Sequence, residues 1–273
     1  MWNAIMNYSF MQNALIAALL SSVVCGIMGT IIIEKQLVSM SGGIAHTSFG
    51  GIGLGYLLGI EPIIGGFAFA VMAAIAIVTI RRRANTYTDT LIGMFWSVGM
   101  ALGILFITLT PGYPPDMTSY LFGDILTVSS TYLYLIMILA LVIILVITGK
   151  FKIIKGYLFD EEYLVVLGIN VRFYEYILFI MIAMAVVIMI KVVGIILVIA
   201  LLTIPPAIAK LFSNRLERIM LVSILVGTVV SILGLVFSYY FDIPSGATII
   251  IVSVVSYIIA YFFKGRKEKV FSH

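Results

Sequence analysis

The chain has 273 residues, of which 63% are hydrophobic and only 10% charged, with a mean hydropathy of +1.22. A soluble domain carries about 25% charged residues, so a soluble globular fold is excluded. The net charge of +4 and pI near 9.1 do not signal nucleic acid, because the basic residues are dispersed at the ends of apolar runs.

Those runs recur over residues 1–273, as in one polytopic membrane domain. The start, MWNAIMNYSFMQNA, lacks the basic n-region of a cleavable signal. A helix needs about 20 apolar residues to cross the hydrocarbon core. Candidate spans are 11–33, 42–60, 62–80, 90–109, 131–149, 173–190, 193–212, 218–240 and 246–263. Several are short and glycine-rich, so the predicted fold is an all-α bundle of eight or nine transmembrane helices. Cys25, in the first span, has no intrachain partner for a disulfide and reads as a small buried hydrophobe.

The second span, SGGIAHTSFGGIGLGYLLG (41–59), is the least lipid-like. At about 100° per residue, His46 shares a helix face with Gly42, Gly43, Gly50 and Gly53. Gly51, Gly55 and Gly59 form a nearly opposite GxxxG face. Small residues at this spacing let helices approach closely. One glycine face is therefore expected to pack on a neighbour, and the other to leave space in front of the imidazole. An intramembrane His marks a pathway or a partner; the plainer alternative is a hydrogen bond to an adjacent helix. Asp89 opens the fourth span, where a carboxylate can cap the free N–H groups or take part in transport.

Residues 111–130, PGYPPDMTSYLFGDILTVSS, form a long connection with three prolines. Beyond the fifth span, FDEEYLVVLGINVR (159–172) interrupts the apolar pattern. It is too short and too charged to cross a bilayer and reads as a docking helix for a partner. Glu175 begins the sixth span as an interfacial charge, and Lys191 sits at a tight turn from which it can snorkel. Pro205 and Pro206 should kink or break the seventh span. Asp242 and Ser245, in DIPSGAT, are placed to cap the last helix.

With nine spans and the N-terminus outside, fifteen of the sixteen Lys and Arg fall on the cytoplasmic side, and only Lys191 falls outside. The positive-inside rule then places 150–172 and the C-terminus in the cytosol. No G-x-x-x-x-G-K-[ST], HExxH or GxSxG occurs. The chain is therefore expected to be non-catalytic and to bind no cofactor. A gradient-driven carrier would show more intramembrane acids or an inverted repeat.

Six stretches in order, EKQLVSMSGGIAHTSFGGIGLGYLLG (34–59), TDTLIGMFWSVGMALGILF (88–106), LFGDIL (121–126), FDEEYLVVLGINV (159–171), VGIILVIALLTIPPAIAKL (193–211) and DIPSGATIIIV (242–251), resemble the permease subunits of ABC importers for zinc, manganese or iron ions. The resemblance implies a type II ABC importer permease-like fold in the inner membrane of a prokaryotic cell. It implies a homodimer in membrane lipid, two cytosolic ABC ATPase subunits that hold ATP and Mg, and an extracytoplasmic metal-binding protein. It makes 159–171 the cytoplasmic coupling helix, with Asp160, Glu161, Leu164, Val165, Leu167 and Gly168 meeting the ATPase. It places His46, and with less support Asp89, on the metal pathway. The outer mouth would involve residues near 111–126 and 242–246. The family often carries an Asp four residues before this His; here that position is Gly42. Nitrogen donors suit zinc and carboxylates suit manganese, so the change points toward zinc. A siderophore or cobalamin permease is the alternative within the same class.

Overall fold

A computed structural model describes residues 8–84, 87–112, 123 and 125–271, with side chains to residue 264. Among the described residues the fold is all helical. Its helices are α1 (Ser9–Glu34), α2 (Val38–Leu58), α3 (Pro62–Ala84), α4 (Thr88–Leu109), α5 (Ser130–Gly149), the short α6 (Phe151–Phe159) and α7 (Glu161–Val166), α8 (Val171–Val193), α9 (Ile195–Phe212), α10 (Leu216–Phe241) and α11 (Ser245–Phe271). A single 3-10 turn, Ile125–Thr127, precedes α5.

Eight of these helices are long and apolar enough to cross a membrane, and α2 is not among them. Its 21 residues still extend for about 31 Å. Ion pairs and ring contacts show that it runs the same course as the rest. Lys210 pairs with Glu34 at 3.1 Å, Lys35 with Glu161 at 3.9 Å, and Lys155 with Glu217 at 3.2 Å. These join the ends of α1, α7, α9, α10 and the α6 helix at one pole, here the basic pole. At the other pole, Tyr132 donates to Glu61 at 3.3 Å, and Lys191 lies 5.8 Å above the Tyr132 ring. The chain leaves the basic pole after Glu34 and reaches Glu61 through α2. The described residues therefore traverse the bundle nine times.

α2 lies between α3 and α4 with almost no side-chain padding. A Cβ at Gly51 would overlap the Gly65 carbonyl, and one at Gly65 would overlap that of Gly51. A Cβ at Gly55 would stand 2.7 Å from Pro62 Cα. On the other side, a Cβ at Gly50 would stand 2.8 Å from the Gly99 carbonyl oxygen, and one at Gly53 2.6 Å from that of Gly103. Both glycine faces are thus closed, and the expectation that one stays open is corrected. Open room on the His46 face is confined to Gly42.

The two prolines do not break α9, which continues from Ile195 to Phe212 through both. Pro206 leaves the Leu202 carbonyl without its helical donor, and α1 approaches that same carbonyl closely at Gly29. Asp242 ends α10 in the left-handed region (φ 54°) instead of capping the helix that follows.

Candidate functional site

His46 is the ninth residue of α2, about 12 Å along its axis from the basic pole. Its ring stacks on Trp96 of α4 with centroids 4.3 Å apart and planes 6° from parallel. Its Nδ1 is buried and has no hydrogen-bond partner among the described residues. The sequence left open a hydrogen bond to a neighbouring helix; the imidazole has an aromatic neighbour instead. Beside it, a Cβ at Gly42 would lie 3.6 Å from Ile199 Cδ1 and 3.8 Å from Trp96 Cζ3, ordinary contact distances. The furrow between α2, α4 and α9 therefore has room at Gly42 for at least a methyl group that this sequence does not supply. Trp96 is exposed and His46 is partly exposed, so the furrow opens on the surface of the single chain.

Asp89 does not join this site. It sits in the first turn of α4, seven residues and about 10 Å along the helix from Trp96. The N-cap residue is Tyr87, without a side-chain cap bond. The Asp89 carboxylate accepts a close hydrogen bond from Ser39 in the first turn of α2. It thus ties two helix starts together where a negative charge suits both dipoles. Among the described residues no three His, Cys, Asp or Glu side chains group closely enough to hold a metal ion.

The segment expected to dock a partner folds into α7, shorter than the expected 159–171. Asp160 is its N-cap and accepts from the Tyr163 N–H at 2.9 Å. Glu161 and Glu162 fill the first turn at the positive end of the dipole. Gly168, at φ 72°, stops the helix: its N–H reaches the Val165 carbonyl at 3.0 Å and that of Ile169 the Leu164 carbonyl at 3.0 Å. Contrary to expectation, Leu164 is no outward docking contact: it is only 3% exposed and packs on Gly156 of α6. Glu161 also turns inward. The apolar surface left outside comprises Tyr163, Val165, Val166 and Leu167, with Val166 the most exposed at 84%. Val166 was not singled out from sequence, because a helix this short has no readable periodicity.

Glu175 differs most from expectation. It is not an interfacial charge but 0% exposed, paired closely with both Arg81 and Arg82 from the end of α3. Arg82 also reaches Glu161 at 2.9 Å. Lys35 sits 4.0 Å over the Tyr157 ring. Burial holds its ammonium below the usual lysine range, against the pull of Glu161 and with the push of Arg81 and Arg82. Burial also pushes the Tyr157 phenol up to about 12.

Residues 113–122 and 124, most of the expected outer mouth, lie outside the described residues. Gly123 is described; at φ 59° it packs so closely on the Val193–Gly194 backbone that a Cβ would overlap it.

A family model for the ABC 3 transport family matches residues 7–264. The chain belongs to this family. The likeness to metal-ion ABC importer permeases therefore holds over nearly all of the ABC 3 member's length. It is 41% identical over 259 residues to an uncharacterized membrane protein of Synechocystis, covering 95% of this chain and 92% of that protein. The manganese transport system membrane protein MntC of Listeria monocytogenes is 32% identical over 268 residues, covering 98% of this chain and 95% of the relative. Among solved structures, PsaBC from Streptococcus pneumoniae in complex with Fab superposes with a TM-score of 0.87 at 32% identity, covering 98% of both chains. The zinc preference expected from Gly42 finds no support among these names.

Proposed function

We propose that this ABC 3 family chain forms, as a homodimer, the transmembrane pathway of an ATP-driven importer of divalent transition-metal ions. Manganese is the favoured cargo. The observation that carries the reading is the His46 imidazole, with an unpartnered Nδ1, in a mid-bundle furrow that opens on the surface of one chain. A second copy across that surface would enclose the furrow and bring a second imidazole to it. The orientation follows the positive charges: the basic pole, with the C-terminus, faces the cytosol. There the exposed Tyr163, Val165, Val166 and Leu167 offer apolar contact to an ATPase subunit, one per protomer, which binds ATP and Mg; the permease itself hydrolyses nothing. An extracytoplasmic metal-binding protein delivers the ion to the opposite pole. Manganese is preferred to zinc because a full-length relative carries a manganese name, despite the nitrogen donor that would suit zinc.

The test is reconstitution of the permease with its ATPase and binding protein in lipid vesicles. ATP-dependent accumulation of radioactive manganese, little reduced by an equal concentration of zinc, is expected. No accumulation with ATP would overturn the importer reading, and zinc accumulation in its place would overturn the cargo.

Docking has its own check. Leu167→Glu places a charge in the exposed apolar surface of α7, where desolvating it in an interface is unfavourable. The variant should fold and reach the membrane but lose co-purification with the ATPase. Undiminished co-purification would count against α7 as the docking element.

A further inference from the structure

Five charged side chains from four parts of the chain meet at the basic pole: Lys35 after α1, Arg81 and Arg82 at the end of α3, Glu161 in α7 and Glu175 in α8. Only one of them touches both acids. Arg82 directs Nε to the buried Glu175 and Nη2 to Glu161, the latter at 2.9 Å. The planar guanidinium makes this possible, since its donors leave in fixed, divergent directions; a lysine ammonium is a single point of charge. Glu175 cannot relax away, being fully buried between its two arginines. Glu161, by contrast, rides on a six-residue helix whose other anchor is Leu164 against Gly156. The outer side of that helix is exposed. From Arg82 the route runs about 25 Å back along the continuous helix α3 to Gly65, where α3 meets α2 backbone to backbone at Gly51, and α2 carries His46.

We infer that Glu161–Arg82–Glu175 is the joint through which displacement of α7 moves α3, and with it the His46 helix. Arg82 is a positioning residue in this joint. The inference rests on the importer reading and specifies how the ATPase drives it. Spatial continuity alone does not establish coupling, so the test measures it. In the reconstituted complex, manganese accumulated per ATP hydrolysed is compared for the wild type, Glu161→Gln, Arg82→Lys, Arg82→Gln and the Arg82→Gln/Glu161→Gln double variant. Assembly is followed by size exclusion. Glu161 is partly exposed and its carboxylate faces Lys35 and Arg82, not the outer apolar side of α7. Glu161→Gln should therefore assemble and hydrolyse ATP normally while its transport ratio falls about fivefold or more, the lower end of coupling between sites. Arg82→Lys, which keeps the charge and loses the fork, should fall likewise. The double variant should be little worse than Arg82→Gln, because both changes break the Arg82–Glu161 pair and the Lys35–Glu161 pair is longer, at 3.9 Å. A normal ratio in Glu161→Gln, or losses that multiply in the double variant, would overturn the joint alone. Absence of ATP-dependent uptake in the wild type would overturn the importer reading and the joint with it.

Discussion

His46→Ala is expected to reduce ATP-driven manganese accumulation by about 100-fold, the upper end of what losing a hydrogen-bond partner of a metal ligand does, since here the proposed donor itself is lost. ATPase co-purification should be unchanged, because His46 lies about 12 Å into the bundle from the pole that carries α7. The alanine variant alone has two explanations, since it also removes the ring stacked on Trp96. His46→Phe separates them: the phenyl ring keeps the stack and brings no nitrogen. Both variants should fail to accumulate metal while folding and assembling normally. Transport by His46→Phe at the wild-type rate would reduce the imidazole to a packing element and sink its place on the pathway.

The second large effect concerns folding. Gly65→Val is expected to prevent the chain from reaching its folded state in useful yield. Even the first carbon of the new side chain would occupy the space of the Gly51 carbonyl, and backbone on both sides leaves nothing flexible to give way. Overpacking against a side chain costs about 1–3 kcal/mol; here two helices must separate along their closest line, so about 3 kcal/mol is a lower bound. Thermal unfolding in detergent and the monodisperse fraction after extraction measure it. Gly149→Ala is the control, because nothing lies within 4 Å of a Cβ there. A Gly65→Val protein as stable as the control would show that α2 and α3 do not meet as described.

The helices were largely legible in the sequence. Since lipid demands length and polarity of each segment separately, apolar runs set their ends to within about four residues, except that α11 runs eight residues past the expected 263 into its basic tail. What depended on distant partners was not legible. Glu175 looked interfacial because it stands near the start of an apolar run, yet its partners, Arg81 and Arg82, are more than ninety residues away in sequence. The His46 face of α2 looked open because the glycines that close it at Gly50 and Gly53, Gly99 and Gly103, lie about fifty residues further along the chain. In the docking segment the stops were readable: Asp160 and Gly168 act through their own backbone. Which apolar side chain turns inward was not, because Gly156 of another helix decides that for Leu164. His46 stood out by its rarity within the bundle, but its neighbour Trp96 did not, since an aromatic in an apolar helix carries no signal of its own.

The enclosure of α2 bears on how this protein is made. Alone among the nine long helices of the described residues, α2 is not apolar enough to be a membrane span by itself. What replaces lipid solubility is contact with α3 on one side and α4 on the other, and both emerge from the ribosome after it. Insertion one helix at a time therefore does not suit this segment. Its partition into the bilayer should wait until its later neighbours are synthesised, and a nascent chain arrested soon after residue 60 should leave α2 extractable by alkali. A chain arrested well beyond residue 109 should hold it firmly. Firm integration at the earlier arrest would show that α2 needs no company.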